Sequence, residues 1–131
     1  MKRRTAREKA LQTLFQIDVS NIDPKEAITH ALDEQESDPF FEELVFGVLE
    51  QKDKLDDMIS QHLVNWKLDR IANVDRAVLR LSVYEMVYQE DIPVSVSMNE
   101  AIELAKLFGD DKAPKFVNGV LSNIKNDLKQ Q

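Results

Sequence analysis

TAREKALQTLFQIDV, residues 5–19, has the repeat of an amphipathic α-helix. Its apolar side chains recur every three or four positions, so they share one helix face. Thr5 and Glu8 form the S/T-x-x-E pattern of a capping box, which predicts that Thr5 is the N-cap of this helix. The same period recurs along most of the chain and predicts an all-α fold. The apolar positions of this first helix are Ala6, Ala10, Leu11, Leu14, Phe15 and Val19.

Helix start signals recur in the remaining sequence. An Asp-Pro pair begins a short helix over about 23–32, and a second pair begins a long helix over about 38–62. Further helices are predicted from Asn73, from a capping box at Ser97 and from Pro114. Three Gly and four Pro are too few turn formers for a protein of many strands. A single helical turn is also predicted over 68–71, so we expect six substantial helices and this short one.

The composition indicates one globular domain. The chain has 131 residues, of which 43% are hydrophobic and 31% are charged, and this balance is usual for a soluble domain. Cysteine is absent, which excludes disulfides and thiolate metal sites and suits a reducing cytoplasm. No apolar run approaches the roughly 20 residues of a membrane span. We expect a single cytoplasmic domain over residues 1–131 with no membrane segment.

The sequence contains no recognisable catalytic or metal-binding pattern. His30 and His62 stand alone on separate predicted helices, without the spacing of paired metal ligands. Gly47, Gly109 and Gly119 are isolated, so no glycine-rich phosphate loop is formed. The sequence therefore predicts no catalytic site, no metal and no cofactor.

Charge is distributed unevenly along the chain. The whole protein has 17 basic and 24 acidic residues, a net charge of −7, and residues 33–57 carry ten acids and two lysines, or −8. The first nine residues carry five cations and one acid, or +4. A solubility tail and a contact for RNA phosphates are both compatible with this basic arm. Its cations are Lys2, Arg3, Arg4, Arg7 and Lys9.

A second group of cations is accompanied by an aromatic residue. Arg76 and Arg80 are four positions apart, which places both on one helix face. Lys112, Lys115 and Phe116 surround the start of the last predicted helix. Cations neutralise phosphates and flat rings stack on unpaired bases, so this composition favours single-stranded RNA. A packing role stays open for each residue, with the arginines paired to nearby carboxylates and Phe116 in the core.

Four segments together resemble the bacterial NusB family of transcription antitermination factors. They are TAREKALQTLFQID (5–18), DRAVLRLSVYEM (75–86), IPVSVSMNEAIELAKLFG (92–109) and KFVNGVLSNI (115–124), in the order of the family. The resemblance implies an all-α fold of about seven helices in two packed sub-bundles, without catalysis. It also implies binding to the boxA element of ribosomal RNA leader transcripts together with NusE, a small-subunit ribosomal protein. The pair would join NusA, NusG and RNA polymerase.

The resemblance also implies which residues contact RNA. Thr5 stands where relatives can have another Arg, and Phe15 stands where relatives can have Tyr, so these two contacts are expected to be weaker. The implied RNA-binding residues are Arg3, Arg4, Arg7, Phe15, Asp75, Arg76, Arg80, Phe108, Lys115 and Phe116. Lys112 stands in a loop where relatives can have an acid, and we add it to this set from its charge and position alone.

Two other functions stay open at this point. The acidity and the apolar helix faces also suit a protein-interaction module that binds no RNA, and self-association as a homodimer is left open. A NusB-like domain also precedes the catalytic domain of certain ribosomal RNA cytosine methyltransferases. This chain has no cofactor-binding domain and no Cys, so it would be only a fragment of such an enzyme.

Overall fold

The computed structural model describes residues 1–129, so Gln130 and Gln131, the last two positions of the expected domain, lie outside the described residues. The described part contains seven α-helices, one short 3-10 turn and no strand, which confirms the all-α prediction. None of these helices is long and apolar enough to cross a membrane. The helices are α1 (Arg3–Ser20), α2 (Pro24–Leu32), α3 (Pro39–Glu50), α4 (Lys52–Ser60), α5 (Asn73–Tyr88), α6 (Val94–Phe108) and α7 (Ala113–Lys129), and the 3-10 turn is Leu68–Arg70.

Helix α5 forms the centre of the fold. Every residue from Ala77 to Met86 is buried, as expected of a helix that is covered on all sides. Helix α5 contacts α1, α3, α4, α6 and α7. Helices α2 and α3 pack on α1, whereas α4, α6 and α7 gather around α5. The two sub-bundles, α1–α3 and α4–α7, therefore meet along α5, as the resemblance implies.

Both Asp-Pro start signals are confirmed. The Asp23 carboxylate accepts a hydrogen bond from Lys25 N at 3.1 Å. The Asp38 carboxylate accepts from Phe40 N at 3.1 Å and from Phe41 N at 3.2 Å. The prolines that follow supply no N–H, which costs nothing at the first position of a helix.

The capping box predicted at Thr5 is wrong. Helix α1 begins at Arg3, and its N-cap is Lys2, which makes no side-chain cap. The Lys2 carbonyl accepts the first helical hydrogen bond, from Ala6 N at 2.9 Å. Lys2, Arg3 and Arg4 of the basic arm are therefore the N-cap and first turn of the helix.

The capping box predicted at Ser97 is wrong as well. Helix α6 begins at Val94, directly after Pro93. Ser97 is buried, and its hydroxyl lies 3.4 Å from Glu85 Oε1 on α5. The hydroxyl therefore serves a contact between two helices rather than a cap.

The long helix predicted over about 38–62 is divided at Gln51. This residue has φ −99° and ψ 12°, and it separates α3 from α4. The Gln51 side chain accepts a hydrogen bond from Tyr88 Oη at 3.2 Å. The break lets α4 turn against α5, where Leu55 and Ile59 are fully buried. Apolar spacing alone did not reveal it, because the spacing continues across the break.

Candidate nucleic-acid interface

The cations at the start of α1 lie in different surroundings. Arg3 is exposed, and its guanidinium carbon lies 4.2 Å from the centre of the Phe40 ring. Arg4 is also exposed, and its Nη2 donates to Glu100 Oε1 at 3.0 Å. Arg4 of the basic arm therefore has an acidic partner, Glu100, which α6 supplies. Among residues 1–129, Lys2 and Arg3 make no ion pair and stay available to phosphates.

Arg7 lies inside the protein. It is 3% exposed, and it donates from Nε to Glu85 Oε2 at 2.9 Å and from Nη2 to Glu85 Oε1 at 2.8 Å. Its guanidinium carbon also lies 5.4 Å from the centre of the Phe40 ring. The structure corrects the expectation that Arg7 faces RNA, since a phosphate reaches this guanidinium only if α1 and α5 separate.

Arg76 and Arg80 project from one face of α5, as predicted, but they meet carboxylates there. Arg76 Nη2 donates to Asp18 Oδ2 at 2.8 Å, and Arg80 Nε donates to Asp56 Oδ1 at 2.7 Å. Arg80 Nη1 also lies 3.3 Å from Asp18 Oδ1. Burial raises the pKa of Asp18, but the two arginines outweigh that effect and hold this pKa below its ordinary value. The sequence left open that both arginines pair with nearby carboxylates, and this is the arrangement that the structure shows.

Cations and aromatic rings meet in a groove beside the N-terminal ends of α5 and α7. The groove has a volume of about 320 Å³, and Trp66, Arg70, Lys112 and Phe116 line it. The Trp66 side chain is 60% exposed, whereas Phe116 is half-buried against the core. Exposed rings stack on unpaired bases and cations attract phosphates. The groove therefore has the composition that single-stranded RNA requires.

Two carboxylates line the same groove. Burial raises the pKa of Asp75, and the negative charge of Asp110 raises it further. The Asp110 carboxylate also accepts from the backbone N–H of Lys112 at 3.0 Å, which fixes the loop before α7. A carboxylate repels phosphate but accepts hydrogen bonds from the amino group of cytosine. Inside the groove, Asp75 is therefore suited to a base edge.

Phe15 and Phe108 line a second, narrower groove of about 120 Å³ next to Val74. Both rings are half-buried and pack against the core. Val74 directly precedes Asp75 on α5, so the two grooves adjoin at the first turn of this helix. The structure therefore brings five of the expected RNA-binding residues to adjoining surfaces, which are Phe15, Asp75, Phe108, Lys112 and Phe116.

Lys115 is exposed on the first turn of α7. It is one position from Phe116, which places a cation within the same turn as the ring.

Arg7, Arg76 and Arg80 belong to ion pairs in the interior or at its edge. Within residues 1–129, no group of three His, Asp or Glu side chains is arranged to hold a metal ion.

Sequence reasoning missed two residues of the groove, Trp66 and Arg70. The signal was the segment NWKLDR (65–70), in which the only Trp stands beside two cations and outside any helical repeat. The structure places this segment between α4 and α5, where Asn65 has a positive φ of 68° and Trp66 faces solvent. A large exposed ring in a loop is more informative than one on a helix stripe, since packing does not explain it.

Known proteins resemble the chain over nearly its whole length. It is 99% identical over 131 residues to the transcription antitermination protein NusB of Bacillus pumilus (strain SAFR-032), covering 100% of both chains. The structure of T. maritima NusB matches with a TM-score of 0.86 and 38% identity, over 95% of this chain and 90% of that one.

A crystal structure of antitermination factors NusB and NusE in complex with dsRNA also contains a similar chain. The TM-score is 0.85 and the identity 30%, over 95% of this chain and 96% of that one. A sequence profile of the NusB family matches residues 4–126, which include all seven helix cores and both grooves. The fold, the segments at 5–18 and 92–124 and these matches agree, and the chain belongs to the NusB family.

Proposed function

We propose that the protein is an RNA-binding transcription antitermination factor that works without catalysis. It binds boxA RNA of ribosomal RNA leader transcripts together with NusE, and the pair joins NusA, NusG and RNA polymerase. Its NusB relatives are named as transcription antitermination proteins, and a similar chain occurs in a complex of NusB, NusE and dsRNA. It acts in the cytoplasm as one domain spanning residues 1–131.

The observation that carries this proposal is the groove at the start of α5 and α7. Trp66 offers an exposed ring there, and Arg70 and Lys112 stand on the same rim. Stacking of one base on an aromatic side chain is worth about 1–3 kcal/mol, and it requires no particular base. Asp75 adds an acceptor that distinguishes amino-bearing base edges from others.

The contacts to RNA divide by chemistry. We assign the phosphates to exposed cations and the bases to the rings and carboxylate of the grooves. The remaining arginines form ion pairs with carboxylates within the fold. They keep in place the helices that carry the RNA-binding groups. The phosphate set is Lys2, Arg3, Arg70, Lys112 and Lys115, the base set is Phe15, Trp66, Asp75, Phe108 and Phe116, and the positioning set is Arg4, Arg7, Arg76 and Arg80.

Fluorescence anisotropy of a labelled boxA RNA tests the proposal. The RNA is titrated with the protein alone and with the protein plus NusE, against a scrambled RNA of equal composition. We expect tighter binding to boxA, strengthened further by NusE. Equal weak binding to both RNAs, with or without NusE, would contradict it and leave a protein-interaction module as the function.

The salt dependence of the same titration tests the phosphate set. About five phosphate contacts on a single strand predict a slope of about −3.5 for the logarithm of affinity against that of salt. Removing the Lys112 and Lys115 charges (Lys112→Gln with Lys115→Gln) is expected to flatten the slope by about 1.4, since each contact contributes about 0.7. The matched control, Lys25→Gln with Lys129→Gln, alters exposed cations elsewhere and leaves the slope unchanged.

A further inference from the structure

An aromatic ring at the start of α3 lies beside the first turns of α1. The guanidinium carbon of Arg3 lies 4.2 Å from the centre of the Phe40 ring, and that of Arg7 lies 5.4 Å from it. Both distances are within the roughly 6 Å over which a cation is attracted to the face of an aromatic ring. The Phe40 ring therefore joins α3 to two cations of α1.

The two arginines beside Phe40 differ in what else they contact. Arg7 is buried, and its charge is compensated by two hydrogen bonds to the Glu85 carboxylate. Arg3 is exposed, and among residues 1–129 it makes no ion pair. An exposed arginine side chain has many rotamers when nothing restricts it. The contact that restricts the Arg3 side chain is therefore the one with the Phe40 ring.

The contact with Phe40 leaves the hydrogen-bonding capacity of Arg3 intact. A guanidinium group is planar, and it can lie against an aromatic ring without using its five N–H donors as hydrogen-bond donors. The same donors form a rigid fork that matches two oxygens of one phosphate. Arg3 can therefore keep its contact with the ring and bind a phosphate together.

The Phe40 ring is itself held in place by the start of α3. Pro39 has a fixed φ at the first position of this helix. The Asp38 carboxylate accepts hydrogen bonds from the backbone N–H groups of Phe40 and Phe41. Phe40 is half-buried and packs against the core. A side chain that is ordered before its ligand arrives loses less conformational entropy on binding, so a fixed ring favours phosphate binding by Arg3.

We propose that Phe40 is a positioning residue for RNA, whose ring holds the Arg3 guanidinium at the surface for one phosphate of the bound strand. The inference rests on the proposed function, from which it takes the assignment of Arg3 to phosphate. Phe40 acts through Arg3 and does not stack on a base, because the cation lies over its ring and the core covers part of the rest.

Anisotropy titration of boxA RNA with the protein alone tests this role. Phe40→Leu keeps an apolar side chain but removes the ring, and it is expected to weaken binding about two- to fivefold, the range of one exposed cation–π contact. Phe40→Tyr keeps the ring and should bind as tightly as the unsubstituted protein. The matched control is Phe46→Leu, which changes a phenylalanine on the same helix that is 43% exposed. No cation of residues 1–129 lies over the Phe46 ring, so this change should leave the affinity unaltered.

A double-mutant cycle with Arg3→Ala separates positioning from a structural role. Arg3→Ala removes one phosphate contact, so it is expected to weaken binding and to flatten the salt slope by about 0.7. In the Arg3→Ala background, Phe40→Leu should cause no further loss, because no guanidinium is left for the ring to hold. An equal loss from Phe40→Leu in both backgrounds would overturn the proposal, since the ring would then act on RNA or on the fold without Arg3.

The remaining outcomes distinguish this inference from the proposed function. Circular dichroism and urea unfolding of each variant show whether the fold is retained. Unaltered RNA binding by Phe40→Leu or by Arg3→Ala would overturn the role of the ring and leave the proposed function intact. Equal binding of boxA and scrambled RNA by the unsubstituted protein, with and without NusE, would overturn both.

Discussion

Arg7 on α1 and Glu85 on α5 form an ion pair in the interior, with two parallel hydrogen bonds of 2.8 and 2.9 Å. The Arg7 and Glu85 side chains are 4% and 2% exposed, so water screens neither charge. Ser97 of α6 places its hydroxyl against the same carboxylate. This cluster ties the first helix to the centre of the fold and orients the end that carries Lys2 and Arg3.

Removing one partner of this pair is expected to destabilise the fold strongly. Glu85→Gln leaves the Arg7 charge buried without compensation, which costs about 3–5 kcal/mol in comparable sites. Urea unfolding followed by circular dichroism measures the change in the free energy of unfolding. The control is Glu100→Gln, which breaks the pair with Arg4, whose side chain is 63% exposed, and should have little effect. Equal losses in both variants would contradict the role given to the buried pair.

A methyl group at Gly47 is expected to disturb the contact between α3 and α5. Gly47→Ala places a Cβ against the Tyr84 ring, and overpacking of this kind costs about 1–3 kcal/mol. The matched control is Gly119→Ala on α7, where no atom lies within 4 Å of the new Cβ. That change is expected to stabilise by up to about 1 kcal/mol, because Ala favours a helix over Gly. Thermal unfolding of both variants checks the opposite signs, and two shifts of the same sign would refute the close approach.

The raised pKa of Asp75 predicts a pH-dependent effect of its removal. The folded state binds the proton of the Asp75 carboxyl group more tightly than the unfolded chain does, because in the unfolded chain the pKa of Asp has its ordinary value of 3.8. The stabilising contribution is therefore fully present below that value, and it is lost as pH rises through the folded pKa. Asp75→Asn should raise the free energy of unfolding at about pH 7 and lose this advantage at about pH 3.

The measurement is urea unfolding of Asp75→Asn and the unsubstituted protein at both pH values. Asp110→Asn is the companion variant, since it removes the charge that adds to the shift at Asp75. At neutral pH, Asp110→Asn should give part of the increase in unfolding free energy that Asp75→Asn gives. A destabilised Asp75→Asn at about pH 7 would reverse the sign and disprove the burial effect.

Trp66 is expected to contribute more to RNA affinity than any other apolar residue in its loop. Trp66→Ala should weaken boxA binding by about 1–3 kcal/mol, the value of one stacked base, and Trp66→Phe should restore much of it. Val64→Ala is the control, because Val64 is 71% exposed but does not line the groove. Anisotropy titration measures all three variants, and similar affinities for Trp66→Ala and Val64→Ala would exclude stacking at this site.

Local signals in the sequence located most helices. Apolar spacing and the Asp-Pro pairs at 23 and 38 predicted α2 and the start of α3, because a capping carboxylate and a fixed proline φ act within a few residues. The break at Gln51 was missed because the apolar spacing continues across it. Ser97 was misread because its hydroxyl serves Glu85, a residue of another helix, and not its own backbone.

In the candidate site, too, local features were predicted and contacts between distant residues were not. Lys112, Lys115 and Phe116 at the start of α7 were predicted from composition, and the structure places Lys112 and Phe116 in the groove. For Arg76 and Arg80, pairing with nearby carboxylates was left open without naming the observed partners, and for Arg7 no such pairing was predicted. Their partners lie far away in the chain, with Arg7 78 positions from Glu85 and Arg76 58 positions from Asp18.

The amino-acid order alone was sufficient for the helical class, the family, the acidic balance and the presence of a basic end. These properties follow from periodicity, composition and short motifs, which act over a few residues. Which cations face water depended on folding, because the exposure of a charge is decided by the carboxylates that distant helices bring to it. Folding buried Arg7 beside Glu85, paired Arg80 with Asp56, and left Trp66 and Lys112 together at the surface.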